Sequence, residues 1–234
     1  MLTLVLMPGM DGTGYLFESF ISALGGEFAV TTVCYPKNET LGYDDLEVIA
    51  RRLLPTSGNF IILGESFSGP IAVSLAAAKP KGLVGLILCS TFVRNPRPAF
   101  KPMRMLAHVL PVKLAPNIII NYFLLAPFST SFLRSALKSA ISQVSGPAFK
   151  ARLNAVLSVD VSAKLRAVQV PLLYLQAAHD RVVPPDAGSY IAAVYPATQV
   201  LTIDAPHFLL QVAPDEAANA VKSFARDILR KRIT

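Results

Sequence analysis

Three side chains far apart along the chain have the types needed for acyl chemistry near neutral pH: Ser66, Asp180 and His207. A serine hydroxyl is a weak nucleophile until a neighbouring base takes its proton. Histidine suits that task because its ordinary pKa lies near neutrality. A carboxylate on the far side of the ring holds the tautomer and stabilises the imidazolium. The surroundings of each residue fit. Ser66 follows an apolar run, 60–63, and the pair Gly64-Glu65; an alanine-rich stretch, 71–78, comes after it. A buried strand turning sharply into a helix would present such a serine at its apex. The turn is tight, so small residues belong on both sides. Gly64 supplies one, but the second glycine of G-x-S-x-G is replaced by Ser68, with Gly69 one step later. Asp180 lies in Ala178-His179-Asp180-Arg181-Val182-Val183-Pro184, and His207 in Ala205-Pro206-His207-Phe208-Leu209-Leu210-Gln211.

Plainer readings stand beside these. Ser66 could be a small turn residue, Asp180 a helix cap or loop ion-pair partner, and His207 a satisfied core histidine. Two other acids compete with Asp180. Asp204 is too close in sequence to His207 for the usual geometry, and Asp186 reads as the N-cap of its own helix. His179 and His108 read as bystanders. Glu65 either tunes the turn or is solvated or ion-paired. Asp11 is a candidate for ordering its loop, and Ser68 reads as structural.

The framework that must carry these groups alternates between strand and helix. Apolar or β-branched runs at 2–7, 28–34, 59–63, 83–89, 170–176 and 199–203 predict six strands, mostly buried on both faces. Helical spacing predicts helices at 15–24, 43–54, 66–78, 186–194 and 214–228. Such alternation implies right-handed crossovers and an open, mostly parallel sheet with helices on both faces. The alternation breaks between 91 and 167, where prolines recur at 96, 98, 102, 111, 116, 127 and 147. Apolar stripes there predict helices: one through Phe132, Leu133, Ala136, Leu137, Ala140, Ile141 and Val144, another through Phe149, Leu153, Val156 and Leu157. The stretch 118–126, apolar nearly all round, is packed inside or rests on something greasy. The domain reading is therefore an α/β core of 1–90 and 168–234 with a helical cap, 91–167, inserted after the fourth strand. In such sheets ligands bind beyond the carboxyl ends of the strands. Ser66, Asp180 and His207 follow the third, fifth and sixth strands, so all three fall there.

At this point the resemblance is specific. The serine turn, the D-R-V-V-P loop and the P-H-F-L-L-Q segment, in the order Ser, Asp, His, resemble the α/β-hydrolase superfamily over nearly the whole chain apart from the cap. The first loop, P-G-M-D-G-T-G, resembles small bacterial hydrolases and plant plastid acyltransferase-like members. The resemblance implies a cofactor-independent serine esterase with an acyl-enzyme on Ser66. It implies an oxyanion hole made by the N–H groups of Phe67 and Met10. The family commonly has His-Gly where this chain has Pro8-Gly9, but the donor belongs beyond that pair. The alternatives kept open are a thioesterase or acyltransferase acting on carrier-protein- or coenzyme A-linked acyl groups, and a catalytically idle scaffold that binds a small molecule.

Composition bounds the rest. The chain has 234 residues, of which 53% are hydrophobic and 16% charged, so it is an apolar globular protein. No run reaches the roughly 18 apolar residues of a spanning helix. The N-terminus reads as a strand and not a signal peptide. Cys34 and Cys89 read as reduced core thiols, which makes the cytoplasm the default. Cysteines and histidines are too few for a metal site by spacing. The net charge of +7 is regional. No acid lies between Glu65 and Asp160, a stretch holding Lys79, Lys81, Arg94, Arg97, Lys101, Arg104, Lys113, Arg134, Lys138, Lys150 and Arg152. That side would meet an acidic carrier protein, coenzyme A phosphates or an anionic lipid surface, or be a solvated face. Nucleic acid is not expected, since aromatic and basic residues do not interleave. Met103, Leu106, Ile119 and Phe123 are the expected substrate-binding residues of an apolar pocket under the cap.

Overall fold

The computed structural model describes residues 1–100 and 117–231. Six strands form one sheet: β1 (Thr3–Met7), β2 (Ala29–Thr32), β3 (Phe60–Glu65), β4 (Leu83–Cys89), β5 (Leu172–Ala177) and β6 (Gln199–Ile203). Their spatial order is β2-β1-β3-β4-β5-β6, and every pairing is parallel. The chain starts in the interior of the sheet, runs to the β2 edge, then crosses back to β3. The order reverses between β1 and β3, so the loops leaving those two strands diverge and open a crevice.

The apolar runs become strands because both faces are covered and side chains alternate between them. Along β3, Ile61 and Leu63 join a core with Phe20, Leu24, Val221, Phe224 and Ile228. Ile62 joins the opposite core with Leu46, Ala50, Ile71, Leu75 and Ile191. The first face is covered by α1 (Glu18–Ala23), which follows a 3-10 turn (Tyr15–Phe17), and by α10 (Pro214–Lys231). The second is covered by α2 (Tyr43–Arg52), α3 (Gly69–Ala77) and α8 (Asp186–Val194). Pro185 occupies the cap position of α8 and Asp186 is its first helical residue, so Asp186 is not the N-cap its sequence suggests. The short α9 (Leu209–Val212) follows His207.

Between β4 and β5 the described chain holds α4 (Asn117–Leu124), α5 (Ser131–Ser142), α6 (Gly146–Ser158) and α7 (Ser162–Arg166). Thr130 and Ser145 cap α5 and α6 through side-chain oxygens that accept the N–H groups of Leu133 and Ala148. Both ends of the segment meet, because Val161 N–H donates to Val93 C=O and Asn95 N–H to Val159 C=O. The expected α5 stripe buries Leu137, Ala140 and Val144, whereas Phe132 at its start is 68% exposed. The apolar stretch in α4 is not packed inside: Ile118, Ile119, Tyr122 and Phe123 all face outward. Among the described residues no helix is long and apolar enough to cross a membrane.

Candidate active site

β3 ends at Glu65, and the next residue, Ser66, takes φ of +49°, a left-handed conformation that a serine adopts only at an energetic cost. The surroundings enforce it. On one side the chain is held by the β1 and β4 ladders, and on the other by the helical turn of Ser66–Ser68 that runs into α3. Thr91 Oγ1 donates to the carbonyl of Ser66. A Cβ added to Gly64 would lie 2.7 Å from the Ala72 Cβ, and one added to Gly69 only 2.0 Å from Thr91 Oγ1. The two positions that must be glycine are therefore 64 and 69. Position 68 tolerates a hydroxymethyl group because that group has partners of its own. Ser68 Oγ donates to the carbonyl of Pro8 and accepts from Tyr35 Oη at 2.7 Å. Burial pushes the Tyr35 phenol well above its ordinary pKa, so it remains a donor.

The strained turn aims Ser66 Oγ at His207 Nε2, 2.8 Å away. His207 Nδ1 donates to Asp180, 2.8 Å from Oδ2 and 3.0 Å from Oδ1. That bond fixes the tautomer with the proton on Nδ1 and the lone pair on Nε2, toward the serine. Asp180 Oδ1 also accepts the N–H groups of Val182 and Val183, at 2.9 and 2.8 Å, which is how a tight D-R-V-V turn anchors its own first residue. Burial works against a charged His207 ring, but the charge and hydrogen bond of Asp180, and Glu65 beyond, hold its pKa above the ordinary value. The competing acid, Asp204, instead takes the exposed His179, at 2.8 Å.

The loop after β1 lies against this turn. Asp11, at its bend, accepts from Thr13 N–H and Oγ1. Gly9 sits beside Ser66, since a Cβ there would be 3.9 Å from the Ser66 Cβ and 3.9 Å from Glu65 Oε2. Glu65 is not solvated, and it enters no ion pair among the described residues. It is buried, accepts from Gln211 Nε2 at 2.9 Å and from the N–H of Gly9, and burial pushes its pKa up to about 7, with Asp11 acting in the same direction. Phe67 opens the helical turn, and its ring stacks on Tyr43 with centroids 4.8 Å apart. Of the expected oxyanion donors, Phe67 follows Ser66 in the turn and Met10 follows Gly9 in the loop.

The expected substrate residues fare differently. Ile119 and Phe123 lie on α4, and both are exposed. Met103 and Leu106 lie outside the described residues, as do His108, Lys101, Arg104 and Lys113. α4 does abut the site: Phe208 N–H donates to Leu124 C=O, and Arg181 Nη1 donates to the carbonyls of Tyr122 and Ala126, at 3.1 Å each. The basic stretch is not one free positive face. Arg97 donates to the carbonyls of Arg181 and Val182, in the loop that carries Asp180, and Arg94 lies over the Tyr190 ring. Arg152 is fully buried. Among the described residues no group of three or more His, Cys, Asp or Glu side chains is placed to hold a metal ion.

A profile of the family described as alpha/beta hydrolases matches residues 4–220. A curated relative, Phytyl ester synthase 1, chloroplastic, of Arabidopsis thaliana, is 29% identical over 118 residues; these make up 48% of this chain and only 17% of that protein. Among solved structures, one from a study of carboxylesterases of Nitrososphaera gargenis superposes with a TM-score of 0.83 at 16% identity, covering 98% of this chain and 92% of that one. A thermophilic esterase from Thermogutta terrifontis gives 0.81 at 20% identity, covering 97% and 90%. An enol-lactonase from Burkholderia xenovorans gives 0.76 at 18%, covering 97% and 91%. At these identities the likeness is one of fold.

Proposed function

The chain belongs to the alpha/beta hydrolase family, and on that premise we propose that it hydrolyses carboxylic esters through an acyl-enzyme on Ser66. One observation carries the reading: Ser66 Oγ, His207 Nε2, His207 Nδ1 and Asp180 form an unbroken hydrogen-bonded line. As Oγ attacks the ester carbonyl carbon, its proton passes to Nε2. The charge that develops on the carbonyl oxygen is met by the N–H groups of Phe67 and Met10. The tetrahedral intermediate collapses, the C–O bond to the alcohol breaks, and the alkoxide takes the proton from Nε2. Water then attacks the acyl-serine with His207 again as base, releasing the acid and restoring Ser66. Asp180 stabilises the imidazolium at both stages.

The test is a fluorophosphonate label together with p-nitrophenyl esters of graded chain length. Rapid labelling of Ser66, lost in Ser66→Ala and His207→Ala, with turnover falling about 10⁶-fold in either, supports the reading. Folded wild-type protein that neither labels nor turns over any ester would favour a binding scaffold instead. The partial likeness to a phytyl ester synthase supports a second reading, in which an alcohol rather than water intercepts the same acyl-enzyme. Ester formation on adding a long-chain alcohol, at the expense of hydrolysis, distinguishes them. Of the proposed partners, an acidic carrier or coenzyme A would meet exposed cations such as Arg134 and Lys138. Unchanged turnover of such substrates in Arg134→Glu/Lys138→Glu would remove that partner class.

A further inference from the structure

The largest of the fully buried side chains is a cation, Arg152, reaching from α6 into the core 1% exposed. It enters none of the ion pairs among the described residues. Instead it spends its donors on main chain: Nη1 bonds the carbonyl of Met10 at 2.7 Å and that of Asp11 at 3.0 Å, and Nη2 bonds the carbonyl of Pro36 at 2.9 Å. The guanidinium carbon also lies 5.8 Å from the centroid of the Tyr35 ring. Burial lowers its pKa, with the charges of Asp11 and Tyr35 acting against that. A methionine or leucine would pack α6 onto the core without desolvating a charge. The burial of an arginine here therefore calls for a reason beyond packing.

The reason lies in how peptide planes are linked. A carbonyl and the N–H that follows it belong to one rigid plane, so fixing one fixes the other. The plane of Pro8 and Gly9 is held from two sides, by Ser68 on the carbonyl and Glu65 on the N–H. Arg152 holds the next carbonyls, those of Met10 and Asp11. The Asp11 plane carries the N–H of Gly12, which donates to the carbonyl of Gly9 at 3.0 Å. The Gly9 plane in turn carries the N–H of Met10. A mechanical line thus runs from the guanidinium through Asp11 C=O, Gly12 N–H and Gly9 C=O to the N–H of Met10. Gly12 is shaped by the same contact: its φ is +67°, and a Cβ there would lie 2.7 Å from Arg152 Nη1.

We propose that Arg152 is a positioning residue that orients the Met10 N–H toward the oxyanion, so that a helix inserted between β4 and β5 completes the site built on β1 and β3. This rests on the ester-hydrolysis reading for its kinetic consequence but not for its structural one. The experiment compares wild type with Arg152→Met and Arg152→Lys in two measurements. The first is amide hydrogen exchange. In Arg152→Met, exchange across residues 9–12 is expected to rise at least ~10-fold while residues 66–69 keep their protection. The second is steady-state kinetics with inhibition by a trifluoromethyl ketone, which forms a charged tetrahedral adduct on Ser66. Arg152→Met is expected to lose about 30-fold or more in kcat and in inhibitor affinity with KM changed less than about threefold. Arg152→Lys, keeping the charge with a shorter reach, is expected to recover part of both. Unaltered exchange at 9–12, or a loss confined to KM, overturns the proposal. If Arg152→Met does not fold, Arg152→Lys decides alone: wild-type exchange and kcat overturn it, faster exchange with reduced kcat supports it. Wild-type protein without esterase activity would sink the ester-hydrolysis reading, and the exchange data would still decide whether Arg152 holds the loop.

Discussion

The turn after β3 and the loop after β1 lie side by side, each offering one N–H to the proposed oxyanion site, and they are held by opposite means. The turn is set mostly by main chain and by the absence of side chains: two ladders, a helix start, and glycines at 64 and 69 where a Cβ would collide, with Thr91 Oγ1 added on the Ser66 carbonyl. The loop has no regular structure. It is pinned by side chains from elsewhere, Ser68 and Glu65 from the turn itself and Arg152 from α6. A conformation maintained by covalent geometry and close packing tolerates no added volume. One maintained by hydrogen bonds tolerates volume but fails when a donor is removed. The same functional demand, an N–H held still, is therefore met by two devices with different weaknesses.

The largest expected effect breaks the turn. Gly64→Val places methyls against the Ala72 Cβ and the Ser68 carbonyl, 2.7 and 3.0 Å from where its Cβ would sit. A destabilisation of about 3 kcal/mol or more is expected in urea unfolding. In the loop, a Cβ on Gly9 meets nothing nearer than 3.6 Å, so Gly9→Ala is expected to stay within about 0.5 kcal/mol of wild type. Equal losses at both sites would erase the contrast.

Glu65 belongs to both regions, and its effect comes next. Its folded pKa is raised to about 7 from an ordinary value of 4.5. Between those values the unfolded chain ionises while the folded protein keeps its proton, so unfolding releases a proton. The Glu65 contribution to stability is fully present below about pH 4.5 and is lost as pH rises through about 7. Glu65→Gln is expected to remove that component, about 3 kcal/mol at pH 8. Gln211 Oε1, buried without a partner among the described residues, can accept from the new amide if the Gln211 head group turns over. Denaturation midpoints that fall equally with pH in both proteins would refute this.

Ser68→Gly restores the full G-x-S-x-G pattern, yet it is expected to impair the protein. It leaves the carbonyl of Pro8 and the hydroxyl of Tyr35 unpartnered, which costs about 1–2 kcal/mol. The kcat is expected to fall about tenfold with KM held, because the loop loses its first tether. An equal or faster variant would show that the hydroxyl only fills space.

The smallest effect is in the pH–rate profile. A protonated His207 cannot take the Ser66 proton, so kcat/KM falls with pH through the His207 pKa, which lies above 6.5. Glu65 contributes to that elevation, and Glu65→Gln is expected to lower the midpoint. A midpoint that moved upward would mean that Glu65 does not act on the ring through its charge.

Much of this architecture could be read from residue order. Continuous apolar runs have few outcomes besides strands covered on both faces, and the six predicted strands match the six observed among the described residues, with no end shifted by more than two residues. Ser66, Asp180 and His207 follow strand ends, and parallel strands put all those ends on one rim, which is why residues 141 and 27 positions apart meet. The loop's supports were not readable in this way. Arg152, one more cation in an acid-free stretch, bonds a carbonyl 142 positions away. Glu65 stands next to the nucleophile with nothing local to reveal that it is buried. The α4 stripe left two readings open, packed inside or resting on something greasy, and the exposure of Ile118, Ile119, Tyr122 and Phe123 sets only the first aside; pattern alone does not say whether the cover of an apolar helix comes from the described chain.

What the sequence by itself determined is whatever depends on local periodicity and covalent connectivity: strand and helix identity, the parallel crossovers, and the serine turn that follows Gly64. What only the tertiary structure decided is which polar side chains are buried and whom they bond. That includes a hydroxyl in place of glycine at 68 that tethers Pro8, a carboxyl at 65 held near neutrality, and a guanidinium at 152 spent on main-chain carbonyls. Periodicity repeats within a few residues and leaves a local record. A hydrogen bond between distant segments depends on how whole elements pack, and no neighbouring residue carries its trace.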